Sequence, residues 1–269
     1  MGNGLEIENF QPSSLSQNQF ESLKTYRSDL HVHTVLSPCG DIEMIPPLIV
    51  EAAIEKGIQL IAITDHNASA NIWAVQKAAE GTGLSVLPGM ELQTAEDIHC
   101  LCLFDTLEQI EMLQHDVDTN LPALENRPDF FGEQFVVDPT GDFIRREHRL
   151  LLTSTRLTLK QAFQRVLELG GLFIPAHINR QAFGLMPTLG LIPPDIDLEA
   201  VEISRHMKIS DAQKKYPQIT NIPTIQSGDV HYLEDFLGTT YFKIAHPTIA
   251  ELRMALKNQN GRMVLIQEQ

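Results

Sequence analysis

Basic residues are scarce in this chain: 20 Lys and Arg stand against 35 Asp and Glu, for a formal charge of -15. Such a surface repels phosphate polymers over most of its area, so extended duplex nucleic acid is expected not to bind, while a small anion in a locally positive pocket is still admitted. Cysteine is scarcer still. Cys39, Cys100 and Cys102 are too few and too odd in number for a disulfide framework, which fits a reducing, cytoplasmic compartment. Long apolar runs are missing too: each hydrophobic stretch breaks well before about 18 residues, so neither a membrane span nor a membrane partner is expected. The opening "MGNGLEIENF" lacks the basic and then apolar pattern of a secretory signal, and Glu6 stands where a myristoylation site wants Ser or Thr.

What is present is a globular composition, 43% hydrophobic and 20% charged, which excludes a disordered or fibrous chain. Residues 1–27 are polar, rich in Gln and Ser and without clear periodicity, and read as an N-terminal extension. A rhythm then begins. Asp29–His33 reads as a short strand, "PPLIVEAAIEKG" as a helix with prolines in its first turn and Gly57 as its stop, and "IQLIAI" as a buried strand. The helix "NIWAVQKAAEG", the strands "LSVLPG" and "IHCLCLF", a helix capped by Thr106 and a helix from Thr158 to Leu169 follow. Later strands are "GLFIPA", "AVEIS", "IPTIQS", "TYFKIA" and "RMVLI", with the helix "TIAELRMALKN" before the last.

Apolar strands alternating with amphipathic helices at about 30-residue spacing predict βαβ units and a parallel sheet. Seven or so units favour a TIM-like (β/α)7 barrel over an open sheet, spanning residues 28–269. Between 120 and 156 the rhythm lapses into an inserted segment lying over one end. No internal repeat stands out.

The chemistry is concentrated at strand ends. His31 and His33 are two apart on a strand, so they share a face and can reach one metal. The other strands deliver His66, Glu91, His99, His177, Asp229 and His231 at or near their C-terminal ends, the end where α/β barrels build their active sites. Six of the ten histidines fall in these positions, while His115, His148, His206 and His246 share no common geometry. Imidazoles and carboxylates are poor core residues unless a metal or partner takes their polarity. Cys100 and Cys102 alternate with His99 and Leu101, so they read as small core residues.

The motifs "DLHVHT", "AITDHN", "PGMEL", "IHCL", "PAHINR" and "SGDVH", in that order over roughly residues 28 to 235, resemble those of the PHP family, named for polymerase and histidinol phosphatase. The resemblance implies a distorted seven-stranded barrel holding two or three divalent ions (manganese, zinc or iron). The implied ligands are His31, His33, His66, Glu91, His99, His177, Asp229 and His231. A ninth comes from the loop after the first strand; Asp41 is the preferred residue and Cys39 the competitor, a thiolate that would tilt the site toward zinc.

From that set follows a metal-dependent phosphoesterase acting through an activated hydroxide on a small phosphomonoester or a short nucleotide phosphodiester. Glu91 bridges two metals, Asp229 orients the hydroxide, and His231 or His177 ligates a third ion or protonates the departing alkoxide. Asp65 points away from His66 and supports from behind. Arg180 is the attractive phosphate clamp and Arg205 a second candidate, each able to serve instead in an ion pair. No lysine occupies the strand-end place a metal-dependent amidohydrolase would use, since Lys160 lies in a helix and Lys208 in a loop. Phe130, Phe131, Phe135 and Phe183 could stack on a base, but packing the insertion is preferred. The competing reading is a metal-binding module with a regulatory or structural role, against which all eight clear ligand positions are filled.

Overall fold

The computed structural model describes residues 22–267. The start of the chain, read above as an extension without a targeting signal, lies outside the described residues up to position 21. The strands are β1 (Lys24–Val32), β2 (Leu60–Ile63), β3 (Ser85–Gln93), β4 (His99–Leu103), β5 (Phe135–Val137), β6 (Phe143–Arg146), β7 (Leu172–Pro175), β8 (Val201–Glu202), β9 (Thr224–Ile225), β10 (Thr240–Ile244) and β11 (Met263–Ile266). The longer helices are Pro46–Glu55, Ile72–Ala79, Leu107–Asn120, Leu159–Glu168 and Ile249–Leu256. Their boundaries have local causes. Pro46 and Pro47 open the first helix, where missing N–H groups cost nothing, and Gly57 ends it at φ +68°. Thr106 and Thr158 each close a reciprocal capping box, with Gln109 and Gln161.

The sheet departs from the expected parallel barrel. Seven strands run in the order β11-β10-β1-β2-β3-β4-β7, a curled, open half-barrel, with β8–β9 and β5–β6 as separate pairs. Only β1–β2–β3 are parallel within it; β3–β4, β4–β7, β1–β10 and β10–β11 are antiparallel. The reason is connection length. Residues 94–98 join β3 to β4, and so short a link can make a hairpin turn but not a crossover. His99 therefore stands at the start of its strand, not near its end, yet pairs with Gln93 at the end of β3 and so reaches the same rim.

Two apolar layers hold the sheet. Ile61, Ile63, Met90, Cys100, Cys102 and Phe173 pack against helices on one face, which confirms both cysteines as core residues. Leu60, Ala62, Leu101, Ile174, Phe242 and the helix residues Ile249 and Leu252 fill the other. In β1 the register slips between Asp29 and Val32, a bulge against β2. Leu30 and Val32, two apart, accordingly belong to opposite layers, and the re-aimed strand end carries its histidines to the rim.

The segment 120–156 folds over this rim with a hairpin of its own. Phe135 N donates to Val35 O at 2.9 Å, and Asn67 Nδ2 donates to Leu151 O and Thr153 O at 2.8 and 2.9 Å, so the insertion is tied to the loops that follow β1 and β2.

Candidate metal centre

Eight residues from distant parts of the chain converge at the rim. His31 comes from the end of β1 and His33 from just beyond it, His66 from beyond β2, Glu91 from β3, His99 from the start of β4, His177 from beyond β7, and Asp229 and His231 from the turn after β9. That turn lies beside β1 through His33 N to Val230 O (3.0 Å) and Val230 N to His31 O (2.9 Å). His177 and Asp229 hold φ at +27° and +51°, which is uncommon for residues with a side chain and clusters where function fixes the backbone.

Glu91 is the hub. Its Oε1 lies 2.8 Å from His99 Nδ1, 3.1 Å from His177 Nε2 and 3.3 Å from His31 Nε2, while Oε2 lies 2.9 Å from His66 Nδ1 and 3.4 Å from His33 Nε2. The two oxygens thus face different sets of imidazoles, the disposition a bridging carboxylate needs. Asp229 Oδ1 faces His31, His33 and His231 at 3.4, 3.5 and 3.4 Å, and its Oδ2 accepts from Arg180 at 2.9 Å.

Hydrogen bonds behind the ligands fix which nitrogen faces inward. Ser37 Oγ donates its single hydrogen to Asp65 Oδ1 at 2.7 Å, so it accepts from His33 Nδ1 at 2.9 Å and leaves the Nε2 lone pair free. Asp65 also takes Thr34 N and Thr34 Oγ1, which makes it the supporting residue read from the sequence. His31 Nδ1 is held by Glu202 Oε1 at 3.1 Å and His231 Nδ1 by Asp229 O at 2.8 Å. This arrangement of outer acceptors presenting inner lone pairs is that of metal-binding histidines.

The donors fit a cation group. His31 Nε2, His33 Nε2, His66 Nδ1 and Glu91 Oε2 are buried with no hydrogen-bond partner among the described residues, although each faces opposite charge. Leaving one such atom unpaired costs about 1–3 kcal/mol, so several together point to an ion that satisfies them in common. Three triads, His33–His66–His231, His31–His33–Glu91 and His66–Glu91–His99, each bring their ligand atoms within 4.8 Å. The electrostatics agree. Burial alone would raise the Glu91 carboxyl, yet His99, His31 and His66 hold it well below its usual value. Burial is the largest single influence on His31 and His66 as well and opposes their charge, but Glu91 with Glu202 and Asp229 around His31, and Glu91 with Cys39 around His66, together outweigh it and hold both well above theirs; burial wins at His99, pushed down to about 4.

Of the remaining predicted residues, Asp41 turns aside: its Oδ1 accepts from Glu43 N at 2.9 Å. Cys39 instead faces the cluster, with Sγ 3.1 Å from His231 Nε2. Burial would raise that thiol, but His66 and His231 bring it down to about 6. Arg180 and Arg205 both line a cleft of about 410 Å³ with His177, His206, Ser227 and Asp229. Arg205 is committed to Gly228 O and to Asp235, whereas Arg180 is half-exposed beyond its bond to Asp229. Phe130 and Phe131 pack on each other under Arg127, Phe135 packs on Phe143, and Phe183 lies flat on His99 with ring centroids 4.3 Å apart. Sequence reasoning missed Glu202 and Ser37. Glu202 had a signal, a carboxylate on the strand "AVEIS"; Ser37 had none.

The family model described as PHP domain matches residues 29–178. The 5′-3′ exoribonuclease Rnm of Salmonella typhimurium is 31% identical over 108 residues, 39% of this chain and 32% of that protein. The lesion-specific endonuclease PfuEndoQ from Pyrococcus furiosus superposes with a TM-score of 0.70 at 20% identity, over 90% of this chain and 58% of that one. Endonuclease Q in complex with a 27-mer duplex carrying an abasic lesion at the active site superposes at 0.69, with 20% identity over 89% and 58% of the two chains. This chain thus spans about a third of the exoribonuclease's length and little over half of the endonuclease's. The duplex complex overturns the expectation that net charge excludes duplex nucleic acid, because this fold accommodates it and a summed charge does not report the local field around one cleft. No described helix is long and apolar enough to cross a membrane.

Proposed function

The chain belongs to the PHP domain family, and on that premise we propose that it is a metal-dependent phosphoesterase whose substrate is a nucleotide phosphodiester or a small phosphomonoester. The observation that carries the proposal is the Glu91 carboxylate set among five imidazoles beside a cleft that Arg180 and His177 line. Two or three divalent ions (manganese, iron or zinc) held by His31, His33, His66, Glu91, His99, His177, Asp229 and His231 would supply a hydroxide nucleophile and offset the phosphate's charge.

The side chains do the positioning. Glu91 spans the centre, one oxygen toward each half. Asp229 holds the inner face of the cleft through His31 and His33, and its second oxygen keeps Arg180 extended over the opening. A guanidinium in that place grips two phosphate oxygens at once. His231 has its Nδ1 committed to Asp229 O, and His177, which lines the cleft, is the histidine placed to act on the departing alkoxide.

The test is hydrolysis by metal-stripped, manganese-reconstituted protein, using phosphomonoesters, dinucleotides, nucleotide 3′,5′-bisphosphates, 5′-phosphorylated RNA and a duplex with an abasic site. Wild type releases phosphate or nucleotide from at least one class, His33→Ala from none, and Arg180→Ala shows a KM about tenfold higher, the loss of one charge-assisted contact. Failure on every class with two or more metals bound would refute the proposal.

A further inference from the structure

The loop after β1 is a fixed turn. Ser37 N donates to Thr34 O at 3.1 Å, Gly40 N to Ser37 O at 2.9 Å and Asp41 N to His231 O at 2.9 Å. A Cβ on Gly40 would lie 2.7 Å from Thr34 O, so the turn tolerates nothing larger there. What this turn presents to the imidazoles is sulfur and not carboxylate: Cys39 Sγ bonds His231 Nε2 at 3.1 Å, and His231 in turn belongs with His66 and His33 to a set whose ligand atoms lie within 4.8 Å of one another, while the Asp41 carboxylate caps its own backbone. His66 is 3% exposed, and its Nδ1 has no hydrogen-bond partner. His33 stacks on His231 with ring centroids 4.1 Å apart, and its Nε2 is turned to Glu91 and Asp229.

We propose that Cys39, as a thiolate, joins His66 and His231 in holding one metal ion, and that this position selects zinc over manganese while the Glu91- and Asp229-centred half does not. The proposal rests on the phosphoesterase reading only for the presence of a metal centre. Zinc bonds nitrogen at about 2.0–2.1 Å and sulfur at about 2.3 Å in tetrahedral geometry, which sets sulfur and nitrogen about 3.6 Å apart. The observed 3.1 Å reaches that by a relaxation of about half an ångström. Binding replaces the S–H bond by a sulfur–metal bond and passes the proton to water, with no change of oxidation state. Soft sulfur beside two imidazoles favours zinc, whereas oxygen-rich surroundings suit manganese. The fourth position is left to water or a substrate oxygen, as an open, reactive zinc site requires.

Cobalt(II) gives a readout independent of turnover. Metal-stripped protein loaded with cobalt should show the near-ultraviolet thiolate-to-cobalt band in wild type and in Asp41→Asn. Cys39→Ser should lack it while still binding cobalt by metal analysis and folding by circular dichroism. In competition, Cys39→Ser should lose zinc affinity on the order of 100-fold and keep manganese affinity within about threefold. Cobalt bound to wild type without the band, or a band that survives Cys39→Ser, would overturn the proposal. A band in a protein that cleaves no phosphoester would leave it standing and sink the hydrolase reading; no cobalt binding at all would sink both.

Discussion

Replacing Glu202 tests whether the centre depends on the residues behind its ligands. Glu202 is 1% exposed; Oε1 accepts from His177 N at 3.0 Å and lies 3.1 Å from His31 Nδ1, and Oε2 has no hydrogen-bond partner. Glu202→Gln keeps an oxygen in the first place but gives up the charge beside the buried His31, so metal-free stability should fall by about 1–3 kcal/mol. What it removes is charge. The carboxylate–imidazole bond is charge-assisted and orients His31, and losing such an outer partner typically weakens metal binding 10–100-fold, about 1.4–2.7 kcal/mol. Glu202→Ala also strands the buried His177 N–H, at a further cost of about 1–3 kcal/mol in stability. Competition against a chromophoric chelator reads the affinity, and thermal unfolding of metal-stripped protein reads the fold. The Gln variant should lose metal affinity with a smaller fall in metal-free Tm than the Ala variant, which should lose more of both. A Gln variant that binds metal within about threefold of wild type would refute the claim that Glu202 positions the centre.

Metal removal should lower Tm: an ion at a hundred times its Kd stabilises by about 2.7 kcal/mol, so a chelator should bring the unfolding transition down by roughly 5–10 °C, recoverable on adding manganese or zinc. Because Glu91 holds His31 and His66 well above their usual value in the metal-free protein, an ion must displace their protons. Affinity should therefore keep rising with pH above the ordinary histidine range, and the calorimetric heat should vary with the buffer's ionisation enthalpy; buffer-independent heat would contradict this. Asn67→Ala removes two donors to Leu151 O and Thr153 O and the acceptor for Gln93 N. It should cost about 2–4 kcal/mol and speed amide exchange over residues 149–155 before the strands around Glu91 loosen, as followed by hydrogen exchange.

How far the sequence carries can be seen residue by residue. The helix starts at Thr106 and Thr158 were legible because a capping box is local, and so was the pairing of His31 with His33, two residues apart in the chain. The half-barrel was not, since whether β4 runs with β3 or against it depends on the short link 94–98, not on the apolar runs that mark the strands. Residue type and order along the chain determined that imidazoles and carboxylates would gather at one rim, because strand periodicity sets which side chains share a face. Which atoms meet there was decided by tertiary structure alone. The turn at Gly40 aims Cys39 and not Asp41 at His231, Ser37 selects the tautomer of His33, and Glu202 reaches His31 across 171 positions of sequence. Those choices hang on separations of a few ångströms between segments far apart in the chain, which no spacing within one segment encodes.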